Sequence, residues 1–161
     1  MSQLVLPTAE DTHALGERIG RLLGAGDLVI LDGALGAGKT VLTKGIAVGM
    51  GVTGIVMSPT FVIARVHRPA TPGGVRLVHV DAYRLGGRFE FDDLDLDTDM
   101  TAAAVVVEWG EGRAEQLAAD HLLVRLTRHP DDTRTAELSG TGERWSRLAA
   151  EMTGAVAQRG A

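Results

Sequence analysis

The sequence predicts an α/β protein: a mostly parallel central sheet layered with helices, with antiparallel hairpin strands at the sheet's margins. Three observations carry this expectation. First, an apolar run, Leu28-Val29-Ile30-Leu31, leads into the glycine loop Gly33-Ala34-Leu35-Gly36-Ala37-Gly38-Lys39-Thr40, which opens into a helical pattern from Val41 to Ala47. Second, two further apolar runs, Val78-His79-Val80-Asp81 and Val105-Val106-Val107-Glu108, each end in an acid. Ligands of open α/β sheets bind at the C-terminal ends of strands, where these acids would lie. Third, 161 residues suit a single domain over 1–161, with no internal repeat or linker to divide it.

The elements follow in order. Thr8 reads as a helix cap before Glu10 and Asp11, with Leu15, Ile19, Leu22 and Leu23 at helical spacing, and Gly24-Ala25-Gly26 ends that helix. A strand at about 27–32, the glycine loop and a helix to about 49 come next. The β-rich run from Phe61 to His67 and the run from Val75 to Asp81 are joined by the turn-rich segment Pro69 to Gly74, which predicts a hairpin. Residues 89–99 are acidic and irregular. Ala103 to Trp109 reads as a buried strand, followed by a short helix at 111–119. His121 to Arg128 and Arg134 to Ser139 flank Pro130-Asp131-Asp132 as a last hairpin. A short helix from Glu143 to Met152 precedes an expected frayed tail at 153–161.

The loop carries the chemistry. Its glycines let backbone N–H groups curl around a polyphosphate without Cβ clashes, and the helix behind them points its positive dipole end at the same charge. Lys39 would reach the β- and γ-phosphates, and the Thr40 hydroxyl would hold Mg²⁺. Glycine is frequent here, 21 of 161 residues, so a plain glycine turn between strand and helix is the bland alternative. Lysine decides against it, because Lys39 and Lys44 are the only two in the chain and one occupies the phosphate-reaching position. With its flanking strand and helix, the loop specifies a three-layer sandwich of the P-loop NTPase kind.

Composition narrows the function. A net charge of −5 gives no global basic field, which disfavours direct binding of tRNA or DNA. Cysteine is absent, so disulfides, thiol catalysis and cysteine-ligated metal are excluded. No apolar run approaches membrane-spanning length and the N-terminus lacks a basic start, so the expected location is the cytoplasm, with no membrane partner. Asparagine is also absent, which removes the Asn-Lys-x-Asp element that reads guanine in GTPases and favours ATP.

A phosphate loop needs an acid to complete the Mg²⁺ shell. Either Asp81 or Glu108 alone could be a strand-end turn residue, but two such acids beside a phosphate loop point to metal-site duty. Gly33 to Thr40, Ser58-Pro59-Thr60-Phe61, His79-Val80-Asp81-Ala82-Tyr83-Arg84-Leu85 and Glu108-Trp109-Gly110-Glu111, in that order and spacing, resemble the bacterial TsaE family, formerly called YjeE. The resemblance runs from about residue 8 to about residue 140, and the four motifs together are specific. It implies the ATPase component of tRNA threonylcarbamoyladenosine synthesis, working with proteins of the TsaB and TsaD type that carry the tRNA.

The resemblance also implies residue roles. Leu35 to Thr40, hence Leu35, Gly36, Ala37, Gly38, Lys39 and Thr40, would wrap the phosphates, and Thr40 and Glu108 would bind Mg²⁺. Asp81 matches the family's second acid beside the metal. Ser58 and Thr60 match a switch-like segment near the γ-phosphate, Trp109 follows the metal acid, and Glu111 and Arg134 match positions near the nucleotide. The departures are mild: Gly110 stands where proline is frequent, and 89–99 is less apolar than in many relatives.

Other features carry less. Asp93, Asp95, Asp97 and Asp99 alternate like a calcium loop, but Thr98 and Ala104 stand where the loop's glycine and bidentate acid belong, so a solvated acidic loop is the better reading. His79 on an apolar strand reads as a hydrogen-bonded core residue, and Trp145 as packing. Arg65, Arg68, Arg76 and Arg84 read as solvated surface. The favoured activity is partner-activated, Mg²⁺-dependent hydrolysis of ATP to ADP, with Lys39, Asp81 and Glu108 as catalytic groups. The alternatives are a small-molecule P-loop kinase, for which the region after Asp81 shows no clear lid, and a non-catalytic nucleotide-gated binding module.

Overall fold

The computed structural model describes residues 2–34, 36–54, 64–81, 102–108 and 120–160, with backbone alone for Ser2, Asp81 and 154–160. Among the described residues seven strands form one sheet: β1 (Ser2–Leu6), β2 (Leu28–Asp32), β3 (Ala64–His67), β4 (Arg76–Asp81), β5 (Ala103–Glu108), β6 (His121–Arg128) and β7 (Arg134–Thr141). Their order across the sheet is β1-β7-β6-β2-β5-β4-β3. The middle four, β6, β2, β5 and β4, run parallel. Antiparallel strands close both sides, β3 on β4 at one edge and β7 then β1 at the other. The fold is the expected α/β class, and both hairpins form where the turn residues put them. In the second, Asp132 takes a left-handed φ of 72° and its N–H donates to the His129 carbonyl at 2.9 Å.

The strand β1 has no counterpart in the sequence reading. Its signal is the alternation of buried Leu4 and Leu6 with exposed Val5, as expected for an edge strand with one covered face. Along β2 and β5 both faces are covered, so the apolar runs are continuous rather than alternating.

Helix α1 (Ala9–Leu22) starts at a reciprocal capping box. Thr8 Oγ1 accepts from the Asp11 N–H at 3.2 Å, and Asp11 Oδ2 accepts from the Thr8 N–H at 2.9 Å. Helix α2 (Lys39–Met50) follows the glycine loop and ends on Gly51 in the left-handed conformation. The two helices meet glycine to glycine. A Cβ built on Gly16 would stand 2.2 Å from the Leu42 carbonyl oxygen, and one on Gly45 would stand 2.1 Å from that of His13. Gly20 and Gly49 repeat the contact one turn on, at 2.2 Å from the carbonyls of Ile46 and Glu17. No side chain fits there.

One core cluster joins α1 (Leu15, Ile19), α2 (Leu42, Ile46) and helix α3 (Glu143–Gly160; Trp145, Ala149, Met152) to one face of the sheet. Trp145 is packed as expected, with Arg144 stacked on its ring at 4.6 Å. Leu28, Ile30, Val78, Val80, Val105 and Val107 form the core on the other face. The short helix expected at 111–119, and the layer it would supply, lie outside the described residues.

The last helix, expected from Glu143 to Met152, has a backbone that continues helical to Gly160. Thr153 Oγ1 bonds back to the carbonyls of Ala149 and Ala150. Among the described residues no helix is long and apolar enough to cross a membrane.

Candidate nucleotide site

The loop begins where β2 leaves the sheet. Gly33 has a φ of 153° and lies so close to β6 that a Cβ would stand 2.7 Å from the Leu126 carbonyl oxygen. Gly36 and Gly38 have φ of 84° and 107°, which glycine adopts without the steric cost other residues bear. Between them the Ala37 N–H donates to the Ala34 carbonyl at 3.0 Å, tightening the turn. Gly38 then serves as N-cap of α2 with no side-chain cap, and the first turn carries no acid. The helix therefore presents unpaired N–H donors and its positive dipole end at the loop, an arrangement that suits an anion.

Three side chains frame this opening. Lys39 folds back across the loop, and its Nζ donates to the Gly33 carbonyl at 2.8 Å. Arg134, on β7, donates to the Asp132 carbonyl at 2.9 Å and reaches the Gly36 carbonyl at 3.5 Å. Its Nε stands 3.7 Å from where a Gly38 Cβ would be, so it lies over the loop. Thr12 of α1 is buried, and its methyl group flanks Gly38 from the other side at the same distance. A cleft of about 390 Å³ adjoins the loop on the β6 side, lined by Asp32, Gly33, Ala34, Ala37, Arg125, Leu126, Thr127 and Arg128. Arg125 Nε bonds Asp32 Oδ2 there at 3.0 Å. The sequence reading missed Arg125 and Arg128; their signal was the polar alternation in Val124-Arg125-Leu126-Thr127-Arg128.

The acids stand at the neighbouring strand ends. Glu108 closes β5 in register with Leu31 of β2 on one side and Asp81 of β4 on the other. This row crosses the sheet two residues before the loop begins at Gly33. Glu108 is 7% exposed, and its Oε1 lies 3.2 Å from Nε2 of His79, which is wholly buried. The contact is not aligned as a hydrogen bond, and Glu108 Oε1 and both His79 ring nitrogens have no hydrogen-bond partner among the described residues. The expected hydrogen-bonded core histidine is thus half right: His79 is in the core, but its ring nitrogens lack hydrogen bonds among the described residues, and Nε2 lies beside the acid.

The structure therefore gathers Gly33, Gly36, Ala37, Gly38, Lys39, Thr40 and Arg134 around one opening and sets Asp81 and Glu108 beside it. Thr40 is half-buried in the first turn of α2. Leu35, Ser58, Thr60, Trp109 and Glu111 lie outside the described residues, and Asp81 is described by its backbone alone. Among the described residues no three histidines or acids cluster as a metal cage. Hydroxyl and carboxylate oxygens at a phosphate site, with Glu108 only 7% exposed at the end of its strand, fit Mg²⁺, which takes few protein ligands and completes its shell with phosphate and water.

Comparison with known proteins places this geometry in a family. The model of the family described as threonylcarbamoyl adenosine biosynthesis protein TsaE matches residues 6–136. A protein of Mycobacterium tuberculosis named tRNA threonylcarbamoyladenosine biosynthesis protein TsaE is 57% identical over 141 residues, covering 83% of this chain and 84% of that one. Its namesake in Streptomyces coelicolor is 56% identical over 137 residues, covering 82% and 92%. The crystal structure of YdiB from Bacillus subtilis superposes with a TM-score of 0.73 at 29% identity, covering 94% of this chain and 93% of that one.

Proposed function

This chain belongs to the TsaE family, and from that premise we propose that it is the ATP-binding and ATP-hydrolysing subunit of the machinery that makes threonylcarbamoyladenosine in tRNA. The observation that carries the nucleotide reading is the uncapped start of α2, where a glycine-built loop holds Lys39 across its mouth with the Asp81–Glu108 row alongside.

The proposed chemistry follows from those groups. Backbone N–H groups of the loop bind the β-phosphate, and Lys39 exchanges the Gly33 carbonyl for phosphate oxygens. Arg134 adds a second cation over the loop. Thr40 and Glu108 would hold Mg²⁺, with Asp81 beside it, and the ion would supply charge neutralisation as the phosphate bond breaks. The chain's net charge of −5 is a poor match for tRNA, which supports a division of labour in which TsaB- and TsaD-type partners carry the RNA and this protein docks on them. A site completed on docking hydrolyses slowly alone.

The test measures phosphate release by the chain alone and with its partner proteins, and threonylcarbamoyladenosine formation over several turnovers. Weak basal hydrolysis, a marked rise with partners and loss of multiple turnover in Glu108→Ala are expected. Normal multiple turnover in Glu108→Ala would overturn the role given to hydrolysis.

A further inference from the structure

We infer that His79 is a positioning residue for Glu108: its ring Nε2–H holds Glu108 Oε1 and leaves the other oxygen, Oε2, to the metal. The inference rests on the reading of Glu108 as the Mg²⁺ acid.

Strand geometry brings the two together. His79 pairs with Val106 in the parallel β4–β5 register, and Glu108 lies two residues beyond Val106, so His79, Val106 and Glu108 share one face of the sheet. Val106 packs in the same core as Leu42 and Ile46 of α2, which identifies the face as the one carrying the phosphate-loop helix. On that face the ring fills the space beneath the carboxylate, fully buried, with Nε2 3.2 Å from Oε1.

The energetics ask for a purpose. A leucine or phenylalanine would fill this position with no polar atoms to satisfy, whereas the histidine buries two ring nitrogens without partners among the described residues, beside a Glu108 oxygen in the same state. The pair is already within hydrogen-bond distance, so a small rotation of ring or carboxylate makes the bond. Functional hydrogen bonds are often loose before the ligand arrives and tighten with it. A carboxylate fixed at one oxygen can offer the other in a single orientation, which is how outer-shell partners raise metal affinity, by about 10–100-fold where measured.

The experiment separates metal affinity from nucleotide affinity in the full-length chain. ADP binding is titrated in EDTA, and Mn²⁺ binding to the ADP complex is followed by its paramagnetic resonance signal, for wild type, His79→Leu, His79→Gln and Glu108→Gln. We expect His79→Leu to keep its ADP affinity in EDTA within about twofold and to lose tenfold or more in Mn²⁺ affinity, as outer-shell replacements do. His79→Gln, which retains an N–H donor, should recover most of that loss. Unchanged Mn²⁺ affinity in His79→Leu with a large loss in Glu108→Gln overturns the role of His79. No loss in either variant overturns the metal reading of Glu108 itself. An equal loss in the EDTA titration marks a merely structural role and also overturns the inference. Should His79→Leu fail to fold, the wild-type ring decides: nitrogen NMR should find the proton on Nε2, and a bare Nε2 refutes the contact.

Discussion

The two halves of the site are built by opposite means. On the loop side, backbone does the holding: left-handed glycines at 36 and 38, an uncapped helix start and a single lysine bonded to the loop's own carbonyl. On the acid side, side chains do it, from strand ends far apart in sequence that meet only through the register of β2, β5 and β4. The loop is exposed at Ala34 and Gly36, whereas Glu108 and His79 are buried. On the proposed reading, the loop would grip phosphate with little reorganisation, while the proposed metal end would draw its precision from packing.

That contrast breaks first at Lys39. Replacing it with alanine removes the only ammonium at the loop, and phosphate release should fall by about two orders of magnitude or more. Lys39→Arg should rescue little, because a planar fork does not replace a compact point charge. Near-normal hydrolysis in Lys39→Ala would mean that the loop is not the reacting site.

Glu108→Ala tests the other half. ADP affinity in EDTA should stay within a few-fold of wild type, while the gain in affinity on adding Mg²⁺ should largely vanish. A loss of similar size in EDTA would show that the two halves are not separable. Arg134→Ala sharpens the comparison from the loop side with a smaller effect. Its guanidinium lies over Gly36 and Gly38, so ADP should bind about tenfold more weakly, equally with and without Mg²⁺. A loss seen only with Mg²⁺ would move Arg134 to the metal's side of the account.

The smallest effect is on stability. Burial holds the His67 imidazole, on β3, below its ordinary range; a hydrogen bond to the Thr53 backbone opposes this, and the charges of His79 and Arg65 add to it. The unfolded chain therefore takes up a proton at higher pH than the folded one. This contribution is fully present above the ordinary histidine value of 6.5 and is lost as pH falls below it towards the folded-state value. The melting temperature should drop by a few degrees between pH 7.5 and 5.5, and His67→Gln should flatten that slope. An equal slope in the variant would assign the titration elsewhere.

What could be read from the sequence follows the same division. The loop was legible in eight consecutive residues because its chemistry is local, and both hairpins were legible from their turn residues. Asp81 and Glu108 were recognisable as strand-end acids, but their adjacency is a matter of register, which no local pattern encodes. For the same reason the ring of His79 could not be matched to Glu108, nor Arg125 and Arg128 to the cleft beside Gly33. Strand β1 was missed because five residues at the start of a chain give too short an alternation to weigh.

The glycine contacts between α1 and α2 bear on how a map of mutational tolerance for this protein should be interpreted. At Gly16, Gly20, Gly45 and Gly49 the first atom of any side chain collides with a backbone carbonyl of the opposite helix, and backbone cannot swing aside as a flexible side chain can. These four positions would reject every replacement as firmly as Lys39 does, although none of them belongs to the loop or the acid row. Intolerance in this chain therefore has two sources, one chemical and one geometric, and a ranking by severity alone would merge them. They separate when abundance of folded protein is scored beside activity: the helix glycines would lose both together, and Lys39 only the second.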